Sequence, residues 1–500
     1  MVLIANKKTK QFHAENCNYV DKILPENLIF FETPQEALDA GYYGCAYCQT
    51  QYDESHYHHP KPQESDPPEN SELVSLIITC NDKIDNVTND ELRVDITVDG
   101  YLLMVEHYSM KKGKEIHVNL PIKVIFSTEV GIHIYEDDGT DMIPNWYDIG
   151  HTHIGKESGE HTNKMKGKHG IYNSLYTAKY VVESSSESAK LECQIERMIN
   201  AFDEKCKGDN CAWKAPVLNN EDGKIKDYLK KIMEKRLGGV VFNDKSSEYD
   251  HCKTWEWQRS VLHQNDMGAC SEAALCHEWI RIHPLMFIQQ LMYLYTEGKI
   301  KVLKTYEASD NLLGQSKIRA SYNIYPISWM LFTTLADATN IIKYDWAKVI
   351  NAGDETLEKN HKNFVVFHGY EAIKEWGKNV LLYKENQYEN VSWGNAMSKL
   401  KPLRNSVFKG ASVFMNIHSA LVLGGPEDTV YGDLTETHWV PLLDKEVNKI
   451  NSPTIKEEGL EFFVYSWELY YKIQATKKVI GKLFVNYVIC SDNMYELACY

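Results

Sequence analysis

Five hundred residues exceed an ordinary single domain, and roughly two to four domains are expected. Hydrophobic residues make up 43% and aromatic residues 11%, enough for sizeable cores and too many for a disordered chain. The formal charge of −16, from 70 acidic against 54 basic residues, argues against binding nucleic acid along the whole chain.

The opening residues, MVLIANKKTKQFH, lack the long apolar core of a signal peptide. No apolar run approaches the ~18 residues of a membrane helix, so no membrane span is expected. Synthesis in a reducing, cytoplasmic compartment is therefore expected, with most of the twelve cysteines as scattered thiols. Export by a machine that needs no cleaved signal would leave no mark here.

Residues 1–55 read as a small separate module. His13, Cys17, Cys45 and Cys48 form H-x3-C and C-x2-C pairs. An imidazole and three thiolates at such spacings suit a closed, tetrahedral zinc site. A module with so few large apolar groups would bury too little to fold securely without metal. Thr33 is placed to cap a short helix and Gly41 to end it. His56, His58 and His59 are rival ligands in a solvated context.

The phrases KQFHAENC, EALDAGY and CAYC resemble the zinc module at the N-terminus of Ada-type DNA-repair proteins, over nearly all of residues 1–55. In that family the first ligand is a cysteine that accepts a methyl group from DNA phosphate. His13 stands there in this chain. The resemblance thus implies a structural Zn2+ site with a docking role, and not methyl transfer.

Residues 56–72, HYHHPKPQESDPPENSE, are rich in proline and charge and read as a linker. From 73 to 185, short alternating runs such as VSLIITC, ELRVDITVDGYLLMVEHY and GIHIYED predict an antiparallel β domain, sandwich-like. Within it, His151–Gly170 is polar and histidine-rich and reads as a loop. His151, His153, His161 and His169, with Glu157 and Glu160, lack an ordered framework for a second metal site, and the loop's lysines read as a solvated surface. Residues 186–250 form a helical connector, with Ser186 or Ser188 capping a helix that carries Leu191, Ile195 and Ile199, and DYLKKIMEKRL as a second helix.

Residues 251–500 run helices first and strands second, an α+β order. In HQNDMGACSEAALCHEW, Gln264 lies six positions before Cys270, which follows Gly268-Ala269 and opens a predicted helix. Unpaired N–H groups at a helix N-terminus favour a thiolate. An upstream amide can help hold an oxyanion. The helix is expected to bend or break near Pro284. SWMLFTTLADATNII is a further helix. NFVVFHG, SVFMNIHSALVLG, HWVPLL, EFFVYSWELYYKI and KLFVNYVIC are predicted strands. His438, at the start of an apolar strand, is the candidate base for a thiolate–imidazolium couple. His418 is its best rival. His263 and His283 are further rivals, and His277 lies about two turns from Cys270 on the same helix.

Gln264, Cys270 opening a helix, a distant His438 on a strand, and Ser466-Trp467 at the centre of the next strand resemble the papain-like cysteine peptidase fold, over roughly 250–500. Gly268-Ala269 and Ala273-Ala274-Leu275 are similar to bacterial peptidases that begin with Cys-Gly-Pro-Ala-Ala. The resemblance implies Cys270 as nucleophile, Gln264 in the oxyanion hole and His438 as base and acid. Tyr465 stands where the family has its orienting asparagine, which leaves the third member open between Ser466, Asp444 and a loop residue.

The expected protein is a multidomain α+β chain: a small zinc module, an antiparallel β domain and a papain-like catalytic domain. The expected function is a cysteine hydrolase, a peptidase or amidase acting on a protein or peptide. That layout suits a bacterial effector or toxin, with a secretion machine or an inhibitor or immunity protein as partner. A deamidase or acyltransferase on the same fold, and a non-catalytic zinc-stabilised binding protein, are the alternatives.

Overall fold

The structure, a computed structural model, describes residues 3–7, 11–14, 20, 23, 27–31, 36–37, 40, 42–44, 70–81, 90–137, 146–165, 175–205, 211–213, 252–256, 269–314, 326–339, 369–392, 395–408, 410–418, 437–443, 459–466, 469–476, 480–481 and 483–493. The chain divides into two compact units: residues 1–67 with 446–452, and residues 68–445 with 453–500.

In the first unit, β1 (Leu3–Asn6), β2 (Gln11–Ala14), β3 (Leu28–Phe31) and β4 (Tyr43–Gly44) form one sheet in the order β3-β1-β2-β4. Among the described residues its core holds Leu3, Ala5, Phe12, Phe31, Ala37 and Tyr42.

The second unit opens with β5 (Asn70–Cys80), β6 (Asp90–Val98), β7 (Tyr101–Met110), β8 (Glu115–His117), β9 (Val124–Phe126), β10 (Val130–Asp137), β11 (Trp146–Ile154), β12 (Gly159–Lys164) and β13 (Tyr176–Ser185). They make two antiparallel sheets, β11-β10-β6-β7 and β12-β13-β5-β8, with β9 also on β5. Alternate residues of each strand feed one shared core, including Ile78, Val94, Ile132 and Ala178. The polar, histidine-rich stretch is mostly strand where it is described; residues 166–170, with His169, lie outside the described residues. His151 and His153 lie on β11 and His161 on β12. Buried Thr152 and Ile154 alternate with the histidines, a strand pattern that the polar outer face concealed.

The helix α1 (Leu191–Lys205) follows, as expected of the connector; DYLKKIMEKRL lies outside the described residues. Next come β14 (Cys252–Glu256), α2 (Cys270–Ile282), α3 (Pro284–Glu297), β15 (Lys299–Lys301), β16 (Thr305–Glu307), α4 (Asp310–Leu313) and α5 (Pro326–Thr339). Pro284 starts α3, where its missing N–H costs nothing, and Gly298 ends it at φ 74°. The remaining elements are α6 (Tyr370–Asn379), β17 (Tyr383–Asn390), α7 (Ala396–Phe408), β18 (Ser412–His418), β19 (Thr437–Pro441), β20 (Gly459–Ser466), β21 (Leu469–Thr476) and β22 (Phe484–Asn493). Of NFVVFHG, residues 363–368 lie outside the described residues.

Two sheets carry this half, β17-β22-β18-β19 and β14-β21-β20, joined by a bridge between Leu442 and Val464. Ser466-Trp467 is not the centre of one strand. β20 ends at Ser466, which pairs with Leu469 at the start of β21, so this is a hairpin. A continuous aromatic run hides a tight reversal because nothing in its hydropathy changes.

The β-rich region and the helical region share one hydrophobic core. Leu102–Val105 of β7 are buried in succession, so both faces of that strand are covered. Gln289 of α3 bonds the backbone of Val105 at 3.4 Å and the Glu106 carboxylate at 3.2 Å. On β6, Arg93 and Asp95 form a fully buried ion pair at 2.8 Å, with the guanidinium 4.0 Å from the centre of the Tyr135 ring. Removing one partner strands the other charge. Asp95→Ala should therefore cost about 3–5 kcal/mol of stability. Denaturant unfolding checks this, and the double change R93M/D95L should recover most of the loss.

Candidate active site

Helix α2 is almost wholly buried; Ser271–Ile280 and Ile282 all lie in the interior. Such a helix must be apolar on every face or satisfy its polar groups internally. It does the second at its C-terminal end. The Glu278 carboxylate receives Arg281 at 2.5 and 3.0 Å and the Ser412 hydroxyl of β18 at 2.5 Å. His277 Nδ1 stands 3.5 Å from the same carboxylate. Tyr383 of β17 lies 3.0 Å from the Ser412 oxygen. Burial alone would raise the Glu278 carboxyl, but Arg281 and His277 hold it well below the ordinary carboxylate range.

The other end of α2 begins at Cys270, after the small, buried Ala269, and no side chain caps it. The N-terminal N–H groups are thus left for another acceptor. The backbone N–H groups of Trp439, Ser271 and Cys270 itself lie near enough to the Cys270 thiol to favour its ionised form. Trp439 sits on β19 immediately after His438, so the strand bearing the predicted base lies against the helix end bearing the predicted nucleophile. Part of Cys270 reaches solvent, yet most of its surroundings are protein. That desolvation pushes the thiol up to about 12, against the lowering effect of the three N–H groups.

His438 is 6% exposed and pairs with Ile417. Burial pushes its imidazole down to about 3. Both groups are therefore neutral at rest, whereas the sequence suggested a thiolate–imidazolium couple. Strand alternation turns His438 to the face of Val440 and Leu442, and Trp439 to the face of Phe414. The structure thus brings Cys270 to the backbone beside His438, and the imidazole projects from the strand's other face.

Gln264 and Asp444 lie outside the described residues, as does His263. Tyr465 is 2% exposed and stacks on His277, with ring centroids 4.5 Å apart. Tyr465 is thus packed against the middle of α2. His283 is buried between α2 and α3, and His418 pairs with Thr437 at the end of β18. Sequence reasoning missed Glu278, whose only local signal is Arg281 three residues on, because Ser412 is far away in the chain.

Among the described residues, no group of three or more metal-ligating side chains is assembled. Of the predicted zinc ligands, only His13 is described; Cys17, Cys45 and Cys48 lie outside. His13 is 4% exposed on β2. Phe12, just before it, pairs in parallel with Gly44, just before Cys45. A buried imidazole one residue beyond that pair fits a zinc-ligating role. The β-sandwich histidines give a looser group. His133 lies 6.1 Å from His151 and 6.3 Å from His153 between ring centroids, with burial holding His133 down at about 4.

No protein-family model and no curated protein matches the chain. Solved structures, two of them C2 domains, resemble part of it. One is described as the structure of a C2 domain, at 10% identity and TM-score 0.15, covering 23% of this chain and 98% of that one. The other is a C2 domain of plant Extended Synaptotagmin 1, at 11% identity and TM-score 0.15, covering 24% and 98%. At that score the likeness carries no argument. No helix among the described residues is long and apolar enough to cross a membrane.

The Glu278 network gives a pH prediction. A carboxyl held below its unfolded value contributes stability above that value, about 4.3, and the contribution is lost as pH falls from there toward the folded value. Wild-type stability should fall steeply below about pH 4.3. Glu278→Gln should be less stable at pH 7 and show a shallower slope in the acid range, as read by thermal unfolding across pH.

Proposed function

We propose that this chain is a cysteine hydrolase of the papain-like kind, a peptidase or amidase, with Cys270 as nucleophile and His438 as base. The observation that supports the reading is Cys270 at the uncapped N-terminus of a buried helix that packs on β19, the strand carrying His438.

The chemistry follows from those groups. Cys270 Sγ attacks the scissile carbonyl carbon while His438 takes the thiol proton. Attack by a neutral thiol with proton transfer in the same step suits a site that disfavours both ions. The carbonyl oxygen gains the charge, and the N–H groups of Cys270 and Ser271, with the Gln264 amide, would hold it. The imidazolium then protonates the leaving amine. Water activated by His438 cleaves the thioester and frees the thiol. For His438 to do this, its imidazole must swing to the strand edge where the thiol meets Trp439.

Zn2+ bound by His13, Cys17, Cys45 and Cys48 would supply stability to the N-terminal module and no step of the reaction. That module and the β region would bring the catalytic half to its target, as in a bacterial effector or toxin. A second reading, a non-catalytic zinc-stabilised binding protein, is favoured by the burial of His438 on the sheet face opposite Cys270. Deamidation or acyl transfer would use the same nucleophile.

Cys270→Ala and His438→Ala should each lower turnover of a peptide anilide on the order of 10³-fold or more with the fold retained. Activity surviving Cys270→Ala would end the proposal. Because the thiolate is the reactive form, iodoacetamide labelling of Cys270 should rise about tenfold per pH unit from 7 to 10. A rate already level at pH 6 would mean that a preformed ion pair exists.

A further inference from the structure

Asn416 on β18 stands opposite Trp439 on β19, and Asn486 on β22 stands opposite Asn416. Directly opposed residues of antiparallel strands share a face, with Cβ atoms about 5 Å apart. Asn486, Asn416 and Trp439 therefore form one row across three strands. The row lies on the face that carries Phe414 and Val488, in the same core that Cys270 packs against.

The row is level with the nucleophile. Ser412 meets Glu278 at one end of the helix–sheet contact. From Glu278 back to Cys270 the helix travels about 12 Å, at 1.5 Å per residue. From Ser412 to Asn416 the strand travels about 13 Å, at 3.3 Å per residue. The two lengths agree, and α2 packs on β19, the strand that carries Trp439, the third member of the row. Two asparagines thus flank the thiol end of α2 on the sheet surface.

The Oδ1 atoms of Asn416 and Asn486 are both buried without a hydrogen-bond partner. An orphaned buried acceptor is costly, and two adjacent ones beside the proposed nucleophile are placed to receive a donor from a bound group. Each carboxamide offers one acceptor and one N–H2 donor, whichever way it is turned. The group complementary to both is another amide, whose N–H donates and whose C=O accepts. An ester or thioester of the same shape lacks the donor and leaves the Oδ1 atoms unpaired.

Resting on the reading of Cys270 as nucleophile, we propose that Asn416 and Asn486 form an amide-recognition subsite, which selects peptide or carboxamide substrates over esters. They are specificity determinants that touch the substrate beside the bond that Cys270 attacks.

The test uses two alkylating probes on the full chain, iodoacetamide and methyl iodoacetate, which differ in the amide. Labelling of Cys270 is followed by peptide mass mapping, and each rate is divided by that of free cysteine. Wild type should favour iodoacetamide at least tenfold beyond free cysteine. Asn416→Leu and Asn486→Leu should each remove most of that preference while leaving the methyl iodoacetate rate within about threefold of wild type. A wild-type ratio equal to that of free cysteine would overturn the proposal and mean that the asparagines hold only water. So would an unchanged ratio in both variants. If the leucine variants fail to fold, Asn416→Ser and Asn486→Ser replace them, and the wild-type ratio stands as a test by itself. Amide preference without turnover of any peptide anilide would sink the hydrolase reading and keep the subsite.

Discussion

The packing of α2 on β19 is where the helical and strand halves of the candidate site meet. It depends on α2 lying buried along the β17-β22-β18-β19 sheet, and that burial depends on the Glu278 network at the far end. A charged residue with no access to water is tolerable only when fully partnered. Arg281, Ser412 and His277 provide those partners, and together they fix how far α2 can slide against β18. The position of the thiol is set from about two turns away.

That arrangement places the nucleophile and the base in surroundings that oppose charge. A helix N-terminus favours a thiolate, but desolvation outweighs three N–H groups at Cys270. Burial does the same to His438 with the opposite sign. In the proposed reaction charge would appear only transiently, as the thiol attacks, and a substrate bringing polar groups into the row beside Trp439 would change the balance. The unpartnered Oδ1 atoms of the two asparagines would be the acceptors for such a substrate.

Much of this was legible in the sequence, and the failures have physical causes. The start of α2 followed from Gly268-Ala269 and the apolar run, its end from Pro284, and β19 from its own pattern. The β-rich region was legible as antiparallel strands because β5 alternates cleanly. The histidine-rich strands β11 and β12 were not, since their exposed positions are as polar as a loop. The β20–β21 hairpin was hidden because Tyr465 to Tyr470 is aromatic on both sides of the reversal. The fusion of the β region with the helical region was signalled by Leu102–Val105, four buried residues in a row, which was read as an ordinary strand. At the site, the helix, the thiol and the nearby strand were legible. The face that His438 occupies and the asparagine row were not, because they depend on register between strands far apart in the chain.

The central claim is that Cys270 is an acyl-accepting nucleophile. Intact-mass and peptide mapping after brief, quenched exposure to p-nitrophenyl acetate test it most directly. The account predicts one acetyl group on the peptide that contains Cys270, lost on standing as water cleaves the thioester and absent in Cys270→Ala. Acetylation confined to lysines, or equal in wild type and Cys270→Ala, would contradict it.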